Sequence, residues 1–324
     1  MENLNITNNE VLVSFNLYYD DLDKLLIKCI VNLFEELSDQ EEILHQSFNR
    51  SWERGKNLFL LFKISSRSFQ EHLNEIVNKK VNAFFKEYPA EIKELEFPIN
   101  DWFLPYSNNQ IVLNKKYYPD IMEVGGLDAF RTTQDLIPEL SSTVLAMMES
   151  YGEDWSPANT MGLAIQVQLL FIQPFLKTYK GVNAFFDYCF TNTLSKIQDG
   201  TSEDQIKNLV EGLKQTFNAQ SDQLSNFVEY IMNSLIEEEE FEDDWMNEWV
   251  KTVQLVNSKF ELLEKEGKYI IPEGFEVKDP TSKEKIWPVL EYFVRAFNAQ
   301  FGIQDAYELN LLYSLKASSI NLLN

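Results

Sequence analysis

From Leu127 onward almost every window of the chain repeats its apolar residues at three-and-four spacing, whereas ahead of Gly126 alternating and helical stretches take turns. That single change of period constrains the fold more than anything else in the sequence. It demands a small sheet-containing part followed by a long run of helices packed on one another. Helices are expected over residues 127–150, 156–178, 181–198, 202–218, 221–237, 243–266, 283–301 and 304–322. Before the break, "VLVSFNLYY" (Val11 to Tyr19) alternates as a strand does, and "DDLDKLLIKCIVNLFEELSD" follows as a helix behind an acidic start. "ILHQSFNRSW" and "NLFLLFKIS" flank the charged turn "ERGK" as a hairpin; "SFQEHLNEIVNKKVNAFFKEY" reads as a helix and "QIVLNKKYY" as a further strand. The class is α+β. Residues 1–126 carry a small mixed or antiparallel sheet with helices, and residues 127–324 carry the helical bundle. The short, hydrophobic junction argues for one integrated domain.

A 44% apolar content is ample for a core, and the remaining composition excludes several classes of function. With 51 acidic against 28 basic side chains the formal charge is −23, which repels a phosphate backbone unless cations cluster, and no such cluster occurs. Nucleic acid is not an expected partner. Cys29 and Cys189 each sit in an apolar helical pattern, as reduced core thiols do in a cytoplasmic protein. "MENLNITNNE" lacks the basic start and apolar run of a signal peptide, and no uncharged apolar stretch is long enough to span a membrane. His45 and His72 are the only histidines and have no Cys neighbour, so no metal is expected; glycine-rich nucleotide loops and a nucleophile elbow are missing too, so no cofactor is expected. The aromatic clusters "NAFFDYCF" and "EYFVRAF" fit core faces at helical spacing. The acidic run Glu237 to Trp245 fits a solvated separator of two helices, and "YIIPEGFEVKDPTSKEK" a surface flap.

The junction itself reads "YYPDIMEVGGLDAFRTTQDLI", an aromatic-Pro-acid turn and a double glycine leading into a helix. Tyr117, Pro119, Asp120, Gly125 and Gly126 match the pattern Tyr-x-Pro-Glu-x-x-Arg-Tyr-Gly-Gly, and in "SFNRSWERGKNLFLLFKI" Phe48, Arg50 and Gly55 match Phe-x-Arg-Tyr-x-x-x-Gly-x-His-Leu-Arg-Leu-Arg. "WSPANTMGLAIQVQLLFI" from Trp155 and the last helix, ending "LLYSLKASSINLLN", complete the series in order. These segments resemble the C-terminal elimination domain of lantibiotic dehydratases, a family that includes stand-alone thiopeptide-type bacteriocin biosynthesis proteins.

In members that eliminate glutamate from glutamylated Ser or Thr, the resemblance implies two strand arginines, an arginine before the double glycine and a histidine on the last helix around the reacting ester. Such chemistry needs a base for the α-proton and cations for the developing negative charge. In this sequence the strand arginines fall on Phe59 and Leu61, the strand histidine on Asn57, the arginine before the glycines on Glu123, and the helix histidine on or beside Lys316. Glu123 is open to two readings, an acid complementing a helix N-terminus or a site acid in a remodelled pocket.

Relatives without that cation set include pyridine synthases, which join two dehydroalanines in a formal [4+2] cycloaddition, close a macrocycle and expel water and the leader peptide. That reaction asks for positioning and weak-acid donors. On this reading Tyr313, Lys316 and Glu123 are the catalytic candidates, Tyr313 as a hydroxyl donor. Arg50, Asn57, Ser314 and Ser318 are the substrate-binding candidates. The last helix puts Ser314 and Ser318, or Tyr313 and Lys316, on neighbouring faces. The implied partner is a precursor peptide, leader and core, with other peptide-maturation enzymes alongside. Two alternatives stay open: a noncatalytic peptide-binding partner, and elimination with Lys316 as base and Arg50 as anion contact.

Overall fold

A computed structural model describes residues 10–52, 54–91, 106–114, 121–198, 201–275 and 283–321. Tyr117, Pro119 and Asp120 of the junction lie outside them, as does the middle of the expected flap. The chain divides into two compact units, Met1–Pro119 with Ile137–Trp155, and Asp120–Leu136 with Ser156–Asn324.

The first unit is built on four antiparallel strands, β1 (Val11–Tyr18), β2 (Ile43–Ser51), β3 (Asn57–Ile64) and β4 (Gln110–Asn114), in the order β2-β3-β1-β4. Register decides what each face carries, because side chains alternate along a strand. Phe15 is opposite Leu60 and Val13 opposite Phe62, so Val13, Phe15, Leu17, Leu58, Leu60 and Phe62 share one fully buried apolar face. Helices α1 (Leu22–Leu25), α2 (Val31–Ser38) and α3 (Gln70–Glu87) supply its partners: Phe34 meets Phe62 edge-on, and Phe84 and Phe85 hold Tyr19. Burying one such ring contributes about 1.5–3 kcal/mol. A π-helical turn, Leu26–Ile30, joins α1 to α2, which the apolar spacing of one expected helix does not reveal. The opposite sheet face carries Ser14, Asn16, Asn57, Phe59 and Leu61. Helix α5 (Leu136–Tyr151) flanks the outer edge of β2, where the Phe48 N–H donates to Ser141 Oγ at 3.2 Å.

The helix expected over 127–150 is two helices, α4 (Leu127–Thr133) and α5. The interruption has a local cause: Pro138 has no N–H to give to the carbonyl of Gln134, and Thr133 turns its hydroxyl back on Ala129 O at 3.0 Å.

In the second unit α6 (Pro157–Leu176) is the central element, with Leu169, Leu170, Phe171 and Ile172 all fully buried. Around it stand α7 (Tyr179–Gln198), α9 (Ser221–Glu237), α10 (Asp244–Lys265), α11 (Trp287–Phe301) and α12 (Asp305–Asn321), and α8 (Glu203–Asn218) packs on α12. Phe171 sits edge-on to Phe297, which in turn meets Trp249, whose indole N–H donates to Val167 O at 3.3 Å. The acidic run does separate two helices: Glu238 ends α9 in the left-handed conformation, and Asn247 brackets the backbone of Phe241. Among the described residues no helix is long and apolar enough to cross a membrane.

Candidate functional site

The double glycine has a steric reason to be there. Gly125 and Gly126 adopt φ of +90° and +96°, a region that L side chains rarely enter. A Cβ on Gly125 would lie 2.4 Å from Tyr269 Cε2, and one on Gly126 would lie 2.9 Å from Ile270 Cδ1. The Ile270 N–H closes the contact by donating to Gly125 O at 3.0 Å, and Tyr269 Oη donates to Lys285 O at 2.8 Å. The described start of the expected flap is therefore a strap laid on the glycines. Gly126 N–H bonds back to Ile121 O at 2.8 Å, and Gly126 O accepts the first helical bond of α4 from Phe130.

This tight loop presents Glu123 at the rim of a cleft of about 720 Å³, whose lining also includes Asn192, Lys196, Pro272, Glu291 and Arg295. A second cavity of about 320 Å³ adjoins it: Lys196 and Arg295 line both, and Thr193, Asn298, Gln304 and Glu308 complete the polar part of the smaller one. Arg295 and Glu291 form an i,i+4 ion pair on α11, and Asn192 Nδ2 donates to Glu291 Oε2 at 3.1 Å. Burial, reinforced by the Glu291 charge, pushes the Tyr188 phenol above its ordinary range. Glu308 is likewise raised by burial, although Asn298 donates to it at 3.2 Å and Arg295 and Lys196 pull in the opposite direction. Gln168 fixes Asn298 from below through its side-chain amide. The arrangement combines an anionic rim, a paired guanidinium and a carboxyl that resists ionisation.

Of the residues singled out in the sequence, Glu123 alone lines the larger cavity, and none lines the smaller. Tyr313, on α12, is held between the rings of Phe190 and Phe217, and burial raises its phenol. Lys316 forms an ion pair with Asp187 of α7 and lies 5.1 Å from the centre of the Phe190 ring. Ser314 is buried, and Ser318 is fully buried with a hydroxyl that has no hydrogen-bond partner. In the first unit, Arg50 pairs with Asp23 at 2.6 Å and approaches Met148 Sδ at 4.0 Å. Its neighbour in register is Leu58, so it belongs to the apolar face of the sheet. Asn57 is on the other face, accepting from Asn16 at 2.8 Å and donating to Gly55 O at 2.9 Å.

Arg295, Lys196, Glu291 and Glu308 were not legible as site residues. "EYFVRAF" reads as an aromatic core face, and the only signal was the spacing of Glu291 and Arg295, which marks any surface helix pair. Among the described residues no group of His, Cys, Asp and Glu is placed to hold a metal ion.

Solved structures that share this fold include the following three. The pyridine synthase TbtD from thiomuracin biosynthesis superposes with a TM-score of 0.73 at 13% identity, over 97% of this chain and 98% of that one. TsrL gives 0.66 at 12% identity, over 97% and 95%. The tRNA-dependent lantibiotic dehydratase MibB from Microbispora sp. 107891 gives 0.60 at 11% identity, over 97% of this chain but 28% of that chain. No curated protein sequence matches the chain. The model of the family described as lantibiotic biosynthesis dehydratase C-term matches residues 13–319, nearly the whole length, and the chain therefore belongs to that family.

Proposed function

We propose that the protein tailors a ribosomally made precursor peptide by closing a pyridine ring between two dehydroalanines, in a formal [4+2] cycloaddition. Two carbon–carbon bonds form, and loss of water and of the leader peptide as its amide makes the ring aromatic, so no oxidant is needed. One observation carries this reading. The resemblance puts Asn57, Phe59, Leu61 and Glu123 at the sequence positions where the elimination chemistry of the family uses cations. Expelling a carboxylate after α-proton removal requires charge stabilisation worth several kcal/mol, and removing even one electrostatic contact of that type costs about 3–4 kcal/mol. A cycloaddition depends instead on holding two alkenes in a reactive geometry, an effect worth up to about 7–11 kcal/mol without any fixed cation. The cleft of about 720 Å³ beneath Glu123 has room for a peptide segment, and the likeness to TbtD over almost the full length of both chains supports the same reading.

Glu123 serves in this proposal as a polar group of the cleft wall that helps to position the peptide. The test is incubation with a synthetic leader–core peptide carrying two dehydroalanines, followed by mass spectrometry. A cyclised core appearing together with free leader amide is the expected result; a peptide recovered at unchanged mass overturns the proposal.

A further inference from the structure

The smaller cavity next to the cleft has an electrostatic character unlike the rest of the molecule. In a chain of formal charge −23, its charged lining is two cations and one acid, Lys196, Arg295 and Glu308. Burial raises the pKa of that acid, and the two cations outnumber it in the lining. Lys196 is exposed and has no ion pair with a described residue. Arg295 spends one terminal nitrogen on Glu291, while its Nε is buried without a hydrogen-bond partner. A buried guanidinium N–H left unsatisfied is costly, so it favours an acceptor arriving from outside. Asn298, itself held by Gln168, keeps the wall fixed at 3.2 Å from Glu308.

We propose that this cavity is a carboxylate-binding subsite, in which Lys196 and Arg295 receive a single carboxylate of a peptide lying in the adjoining cleft. The assignment rests on the reading that the protein handles a peptide. Guanidinium and ammonium groups suit a carboxylate by charge and by the number of donors they present. The surrounding negative charge makes the subsite selective, since a peptide with many acids is repelled by the surface as a whole.

The test uses fluorescence anisotropy with three labelled, N-acetylated hexapeptides of otherwise uncharged sequence: one with a single internal glutamate and an amidated end, the same peptide with glutamine, and the glutamine peptide with a free C-terminal carboxylate. The proposal expects one of the two carboxylate peptides to bind the full chain at least about tenfold more tightly than the amidated glutamine peptide. Which one binds tells a side-chain carboxylate from a chain terminus. Lys196→Glu, a change at an exposed position, should abolish that preference, and Lys196→Arg should keep it. Equal binding of all three peptides, or a preference that survives Lys196→Glu, overturns the proposal. Ring formation on the bis-dehydroalanine peptide is read separately. A ring formed without carboxylate preference removes only the subsite, and a carboxylate preference without ring formation removes only the cycloaddition.

Discussion

Replacing Gly125 by alanine tests how the junction is built. At φ +90° the new residue is forced into a conformation that costs a non-glycine residue about 1–3 kcal/mol. Its Cβ would meet Tyr269 Cε2 at 2.4 Å and Cδ2 at 2.9 Å, so the ring must move, and overpacking of this kind costs about 1–3 kcal/mol more. Displacing the ring also strains the 2.8 Å bond from Tyr269 Oη to Lys285 O. The summed loss is about 2–6 kcal/mol, a large part of the stability of an ordinary domain. Gly212→Ala supplies the control, because Gly212 is exposed in the interior of α8 and its Cβ would meet nothing within 4 Å. There the same substitution should stabilise by about 0.5–1 kcal/mol. Urea unfolding of both variants beside the wild type reads the two signs. A Gly125→Ala protein as stable as the wild type, or a Gly212→Ala protein destabilised to the same degree, refutes the steric account of the double glycine.

Asn57→Ala removes a fully buried amide and leaves Asn16 Nδ2 and Gly55 O without it, so a loss of about 1–3 kcal/mol is expected in the same urea assay; an unchanged midpoint contradicts that bonding scheme. Glu308 is raised from 4.5 by burial, so the stability it allows is complete below that pH and falls as the pH climbs through its folded value. Glu308→Gln should therefore gain on the wild type in thermal unfolding as the pH rises from about 4 to 8, and a difference that stays flat with pH counts against a raised carboxyl. Tyr313→Phe keeps both ring contacts and deletes only the hydroxyl; because Tyr313 does not line the cleft, ring formation should change by less than about twofold. A hundredfold loss would return the hydroxyl to the chemistry.

Apolar period and the glycine pair carried most of the fold in the sequence. Val13, Phe15 and Leu17 alternate because they share one buried sheet face, and α6 is apolar on nearly every side because helices surround it. The π turn at Leu26–Ile30 and the break before Pro138 were hidden, since either can occur without disturbing three-and-four spacing. The cavities were harder to foresee than the elements. Arg295 and Glu308 come from consecutive helices and Lys196 from α7, about a hundred residues earlier, and only packing brings Lys196 to the other two. Glu123 was singled out only through the family resemblance, as the residue at the place of the arginine before the double glycine, and it lines the larger cleft. The faces of α12 were not legible, because the helix has almost no apolar asymmetry, and Tyr313 and Lys316 meet α7 and α8 where spacing alone left their direction open.

In the proposed function positioning replaces ionic assistance, and the glutamate released from a glutamylated Ser or Thr precursor peptide measures that most directly. Incubated beside an enzyme-free control, the protein should release no glutamate above the background rate. Catalysed release, with dehydroalanine appearing in the peptide at the same rate, would show that elimination proceeds without cations at positions 57, 59, 61 and 123, and would contradict the central claim.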